Sequence, residues 1–236
     1  MARKYKIANL KITADFRHSM MTSRSEKYLC DFDGGTDIEI PYNERITTDF
    51  QTKNPHLSLD ECEVILTTRF FYNRLLSDFD GFMLHSSAVA VDGKAYLFSA
   101  PSGTGKSTHT EQWLKLFGER AEILNDDKPA IRFFDGKPYA CGTPWSGKSD
   151  LNVNKIVPLQ GICVLERSKE NFIEPMDSGK ALFFLMNQTL RPNKAENMDK
   201  LLNMLDRTFA QVKIWRMGCN ISAEAAEVAY KAMSAE

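Results

Sequence analysis

The residues best suited to chemistry lie in one run, Ala100-Pro101-Ser102-Gly103-Thr104-Gly105-Lys106-Ser107. The run follows the phosphate-loop pattern G-x-x-x-x-G-K-[ST], with alanine in place of the first glycine. Gly103 and Gly105 put no Cβ between the backbone and a bound anion. Successive amide N–H groups, and the N-terminus of the helix expected next, would then face a phosphate. In that arrangement Lys106 contacts the β- and γ-phosphates and the Ser107 hydroxyl takes Mg²⁺. Ser102, Thr104 and Thr108 belong to the same cradle. Ala100 is a mild departure, because that position shapes the turn and does not touch the terminal phosphate. A plain small-residue turn gives no reason for a lysine at a helix start, where it opposes the helix dipole.

A second cluster, Asn125-Asp126-Asp127, closes an expected strand, the place where ligands sit in open α/β sheets. A phosphate loop that transfers its phosphoryl group to a hydroxyl needs a carboxylate for the metal and another for the proton. Adjacent side chains on an extended strand face opposite ways, so the two acids cooperate only if the chain bends there. Lys128-Pro129 makes that bend plausible. Alone, the pair also reads as a solvated acidic turn. His85 opens the strand whose hairpin partner feeds the loop, and by itself it reads as a partly buried structural histidine. The loop Thr143-Pro144-Trp145-Ser146-Gly147-Lys148 offers Trp145, Ser146 and Lys148 as substrate or phosphate contacts. An ordinary turn anchored by its tryptophan is an equal alternative. Arg191, before Pro192 at a corner between helices, is a further phosphate-binding candidate, although a surface arginine is the commoner outcome.

The elements that must position these residues alternate strand and helix. Ser58 and Glu61 form a capping box, and apolar residues at helical spacing predict a helix over residues 59 to about 77. Strands are expected over residues 84–91 and 94–99 around the turn Asp92-Gly93, then over 122–124, 130–134, 139–141, 160–166 and 212–217. Asp135-Gly136-Lys137 reads as another hairpin. Helices are expected over 106–117, 178–188, 193–209 and, capped by Ser222, to residue 233. Residues 4–16 read as one strand and 31–42 as a β-hairpin region. The fold class is therefore α/β with a mixed sheet, because the hairpins are too many for a purely parallel one. A β-rich N-terminal region over residues 1–57 is either part of the main domain, 58–236, or appended to it.

Composition narrows the function classes. The chain has 236 residues, with 43% apolar and 26% charged, which excludes wholesale disorder. Its 30 basic and 31 acidic side chains give no global argument for nucleic acid or an anionic membrane. No apolar run reaches a membrane span, and the first ten residues lack the apolar core of a signal peptide. A cytoplasmic protein is the expectation. Five scattered cysteines without a C-x-x-C pair indicate neither a zinc site nor a disulfide framework.

The order His85, hairpin, Ser102-Gly103-Thr104-Gly105-Lys106-Ser107, Asp126-Asp127 resembles the HPr kinase/phosphorylase family and its smaller relatives, which share a nucleotide-binding core with phosphoenolpyruvate carboxykinases. The resemblance covers residues 81–134, and the loop at 143–148 is similar to that of the smaller relatives. It implies ATP and Mg²⁺ as cofactors, with GTP not excluded because phosphate contacts are indifferent to the base. It implies Ser107 at the metal, one of Asp126 and Asp127 as the base that activates a serine hydroxyl and the other assisting the metal, with Asp127 favoured as base and Asp126 at the metal, and His85 near the transferred phosphate. The acceptor is then a peptide, a protein or a small molecule, and related kinases form homo-oligomers. The R-G-x-G segment associated with phosphorolysis is not recognisable, a departure that bears on both the reverse phosphorylase reaction and HPr itself as substrate.

A non-catalytic nucleotide-dependent accessory module is the main alternative, and the second carboxylate argues against it. A GTPase is weaker, because Asn193-Lys194-Ala195-Glu196 only approximates N-K-x-D and opens a helix. A carboxykinase is weaker still, since those enzymes are much larger.

Overall fold

The computed structural model describes residues 2–192 and 194–235. The chain begins with β1 (Arg3–Ile7), β2 (Leu10–Ala14), α1 (Ser19–Ser25), β3 (Ile38–Ile40), α2 (Glu44–Lys53) and α3 (Leu59–Asp78). Next come β4 (Gly81–Met83), β5 (Ser86–Val91), β6 (Lys94–Ser99), α4 (Lys106–Phe117), β7 (Ala121–Asn125), β8 (Ala130–Phe134) and β9 (Lys137–Cys141). The remainder is β10 (Ile156–Arg167), β11 (Phe172–Pro175), α5 (Ser178–Met186), α6 (Ala195–Phe209), β12 (Lys213–Cys219) and α7 (Ala223–Met233).

Nine strands form one mixed sheet in the order β4-β8-β9-β10-β6-β5-β7, with β12 on β10 and β11 on β12. Strands β6 and β12 run parallel to β10, while β5 is antiparallel to both β6 and β7. The C-terminal ends of β6, β7, β10 and β12 therefore share one rim, and β5 starts from it. That rim carries every motif of the strand–loop–helix region.

Side chains alternate across the two faces, as pleating requires. Val89, Val91, Tyr96, Phe98, Cys163 and Leu165 face α4 and α7 and close around the buried Trp113. Ala88, Ala90, Ala95, Leu97 and Ile162 face the other way, into a larger core shared with α3, α5, α6 and the N-terminal sheet. Residues 1–57 thus contribute Tyr5, Ile7, Ile12, Met21 and Ile40 to a core continuous with the rest of the chain.

Local signals with their own chemistry act as expected. Ser58 Oγ accepts from Glu61 N at 3.2 Å and Glu61 Oε2 accepts from Ser58 N at 2.8 Å, the reciprocal capping box. Asp92-Gly93 and Asp135-Gly136 have positive φ at both residues, as two-residue hairpin turns demand.

Four expectations are corrected. Residues 4–16 are two strands, because Ala8 and Asn9 turn the chain at φ 50° and 61°. No glycine marks that turn; the buried Arg132 Nη1 pins it by donating to Ala8 O at 2.6 Å. Residues 31–42 form no hairpin, since β3 pairs in parallel with β2. The N-terminal region also holds two helices, α1 and α2. Ser222 stands at the head of α7 without capping it, its hydroxyl accepting from Asn171 Nδ2 at 3.1 Å instead. The expected start of α6 at Asn193, with the motif that begins there, lies outside the described residues.

Among the described residues no helix is long and apolar enough to cross a membrane, and all five cysteines are free.

Gly142 follows β9, and a Cβ there would sit 1.7 Å from Val153 O and 2.9 Å from Leu124 O. Gly142→Ala is expected to cost about 3 kcal/mol or more, measured by urea unfolding. His109 is buried against Phe98 and accepts from Trp113 Nε1 at 3.1 Å, while its Nδ1 has no partner among the described residues. Burial pulls its pKa from 6.5 down to about 4. The unfolded chain takes up that proton near 6.5 and the folded chain refuses it until about 4, so stability falls by about 3 kcal/mol as pH drops through this window. His109→Gln keeps an acceptor for Trp113 and is expected to flatten that loss between about pH 7 and about pH 4.5.

Candidate active site

Strand β6 ends at Ser99, and the glycine-rich run bridges it to α4. Gly103 and Gly105 have φ of 78° and 119°, which L side chains rarely adopt, and Gly105 heads α4. A Cβ at either would have nothing within 4 Å, so the upper face of the loop is open. Lys106 folds back beneath it, donating Nζ to Ala100 O at 3.0 Å. Burial pulls the Lys106 pKa below the ordinary ammonium value; Asp127 and Asp126 oppose that shift, and Lys128 adds to it. From the end of β10, Arg167 Nη2 donates to Gly103 O at 2.6 Å and ties the loop to the neighbouring strand. Ser102 is exposed, while Thr104, Ser107 and Thr108 are half-buried along the same curve.

The acid pair follows β7 on the same rim. Its bend is made by Asn125, whose side chain is fully buried. Asn125 Oδ1 accepts from Asp127 N at 2.8 Å and Lys128 N at 2.6 Å, and its Nδ2 donates to Thr143 O at 2.8 Å. The two acids consequently have different surroundings. Asp126 is buried, accepting from Ser87 Oγ at Oδ1 and from Ser149 Oγ at Oδ2, both at 2.7 Å. Ser87 continues to Thr110 on α4 at 2.8 Å. Asp127 is half-exposed, with Oδ1 at 2.8 Å from Lys128 Nζ and 3.4 Å from His85 Nε2.

His85 occupies the break between β4 and β5. Its backbone N donates to Gln188 O at 2.8 Å and its Nδ1 pairs with Gln188 Oε1 at 3.0 Å. Burial lowers its pKa, Lys128 and Lys106 lower it further, and Asp127 opposes them. With Nδ1–H donated to Gln188, the neutral ring turns an Nε2 lone pair toward Asp127. The two acceptors meet without repulsion only when a proton lies between them.

Loop 143–150 overhangs the acids. A Cβ on Gly147 would lie 3.2 Å from Asp126 O and 3.5 Å from Asp127 Cβ. Trp145 faces away from the rim, 1% exposed, stacked on Phe71 at 4.5 Å and donating to Thr67 Oγ1 at 3.1 Å. Ser146 is buried too, its hydroxyl on Asp150 Oδ1 at 2.9 Å. Lys148 is exposed. Arg191 stands apart from the acids, exposed beyond α5 and bonded to Asn187 Oδ1, though it lies in the segment whose Gln188 holds His85.

The structure thus brings together the glycine-rich run, Lys106, Asp126, Asp127 and His85, while the side chains of Trp145 and Ser146 belong to the support. The sequence reading named Asn125 without giving it a role, and it missed Ser87, Ser149, Gln188, Arg167 and Arg24. Asn125 had a local signal, an Asn directly before two acids at a strand end. The others act across long sequence separations and carry none.

Residues 61–223 match the model of the family described as SynChlorMet cassette protein ScmC. Among solved structures, the HPr(Ser) kinase/phosphatase from Coxiella burnetii overlaps 64% of this chain and 95% of its own, with 9% identity and a TM-score of 0.37, too loose to transfer any residue's role. No curated protein matches the chain.

Arg24 is buried beneath the overhanging loop, donating to Ser146 O at 2.9 Å and Gly147 O at 3.0 Å. Arg24→Met leaves Ser146 O unpaired, and Gly147 O keeps its bond from Asp150 N at 3.2 Å. The substitution is expected to cost about 2 kcal/mol or more and to speed amide exchange at residues 146–152.

Proposed function

The chain belongs to the SynChlorMet cassette protein ScmC family, and from its own site we propose that it is an ATP- and Mg²⁺-dependent phosphotransferase that moves the γ-phosphoryl group to a hydroxyl, foremost the serine of a peptide or protein. The observation that carries this reading is the inequality of the two acids. Asp126 is buried and held by two hydroxyls, whereas Asp127 is half-exposed beside His85 on the rim where the glycine-rich run ends. A protein that only binds nucleotide has no need of the second, presented carboxylate.

The residues present fit such a cofactor. The run 100–107 is open above its two positive-φ glycines, and we read it as a P-loop. Lys106 holds only a neutral carbonyl, which it would exchange for a charge-assisted contact with phosphate. Asp126 oxygens each accept one hydroxyl and keep lone pairs to spare. Among the described residues no cluster of three His, Cys, Asp or Glu is placed to hold a cation, so Ser107 and Asp126 would hold Mg²⁺ together with the phosphates. Bound ATP supplies the transferable group, and the metal neutralises its charge.

Asp127 would take the proton of the acceptor hydroxyl as that hydroxyl's oxygen bonds to the γ-phosphorus and the bridging bond to the β-phosphate breaks, releasing ADP. Lys128 orients that carboxylate, and the neutral His85 ring offers Nε2 as a second resting place for the proton. Loop 143–150 shields the acids from one side.

Transfer from γ-labelled ATP to serine peptides tests the reading, with nucleotide binding followed separately by calorimetry. Asp127→Asn is expected to lower kcat by about 10²–10⁴-fold and to leave nucleotide affinity nearly unchanged. Lys106→Ala is expected to lose both. An Asp127→Asn protein that transfers at the parent rate would overturn the assignment of the base. A parent protein that binds ATP tightly and labels no acceptor would favour an accessory module.

A further inference from the structure

A cavity of about 280 Å³ lies between the N-terminal sheet and α3, remote from the rim, but the space beside His85 is more telling. There a pocket of about 200 Å³ is lined by His85, Lys128, Gln188, Thr68 and Leu190. It adjoins a second, larger cleft of about 840 Å³ between α3 and the corner that joins α5 to α6. Leu190 lines both, and Thr68 in the first is followed by Arg69 in the second.

The larger cleft is strongly basic. It presents Arg69, Arg74, Arg191, Lys194 and Lys200 against only Asp78 and Glu196. Arg74 pairs with Asp78 at 3.0 Å and Lys200 with Glu196 at 3.4 Å. Arg69, Arg191 and Lys194 are exposed and have no carboxylate partner among the described residues. Arg69 lies over the Phe50 ring at 5.5 Å, and Arg191 donates to the Asn187 amide oxygen. In a chain whose formal charge is -1, three uncompensated cations beside one cleft are a local concentration of field.

We infer that the acceptor is an acidic peptide segment, lying in the cleft lined by Arg69, Arg191 and Lys194 with its serine in the pocket beside His85. The inference rests on the proposed transfer for the role of that serine, but the recognition is a matter of charge and shape. The small pocket suits one side chain. The cleft is four times its volume, and its positive groups are spread over two elements, which suits an extended anionic chain better than a compact metabolite. Rim charges of this kind give specificity and orientation.

Binding is measured without nucleotide, by fluorescence anisotropy on the full chain. The probes are a labelled serine peptide with a glutamate-rich flank and the same peptide with glutamine in place of glutamate. The glutamate peptide is expected to bind at least about tenfold tighter, and the advantage to shrink with added salt. A protein carrying Arg69→Glu and Lys194→Glu is expected to lose the advantage while keeping its thermal midpoint and its ATP affinity. Equal binding of the two peptides, or an unchanged preference in the double variant, would overturn the inference. So would tighter binding of a single-stranded oligonucleotide of matched charge. A glutamate peptide that binds selectively and is never phosphorylated would uphold the inference and sink the transfer reaction.

Discussion

The site depends on the side chain of Asn125. One buried amide does the work of a turn: its oxygen takes two consecutive backbone N–H groups, and its nitrogen holds the carbonyl of Thr143. Without the first contact β7 would run on, and Asp126 and Asp127 would face opposite sides of a strand. With it they share a bend, one turned inward and one outward. The second contact brings the loop after β9 down over the same bend, so acids and cover are set by one residue. A buried amide is costly unless its capacity is met, and here both ends are engaged.

The inward acid then couples the rim to the helix. Ser87 on β5 bonds both Asp126 and Thr110, which sits on the first turns of α4 directly after the glycine-rich loop. Ser149 completes the shell from the overhanging loop. β5 and the overhanging loop therefore meet on one carboxylate, and α4 joins them through Ser87. Arg24 and Arg167 hold the outer parts by donating to backbone carbonyls. Guanidinium groups suit this task, since each offers several donors in a rigid fork.

Much of what the chain encodes locally was legible in its sequence, although Ser222 does not cap α7 and the Asn43 cap of α2 was not recognised. The span of α4, residues 106–117, follows from the loop that starts it, and α3 from its capping box. The Asp-Gly hairpins declare themselves because few residues accept positive φ. What escaped is non-local. The Ala8-Asn9 turn needs Arg132 from far along the chain. Strand β3, only three residues long, exists because β2 offers it an edge. Trp145 read equally well as a ligand contact or an anchor, and only its stacking on Phe71 decides where the ring lies. Gln188 carries no motif at all, yet it sets the tautomer of His85.

The break between β4 and β5 has a consequence of its own. Leu84 N and Ser86 N bond to Pro129 O and Asp127 O on one side, while His85 N bonds to Gln188 O on the other. The histidine is thereby stitched on both sides of its backbone to the segment that carries its acid partner and to the segment that lines its pocket. Aligning His85 with Asp127 is a step of folding. The loss of freedom falls once, when the chain collapses, and the pair stands already in register in the folded chain.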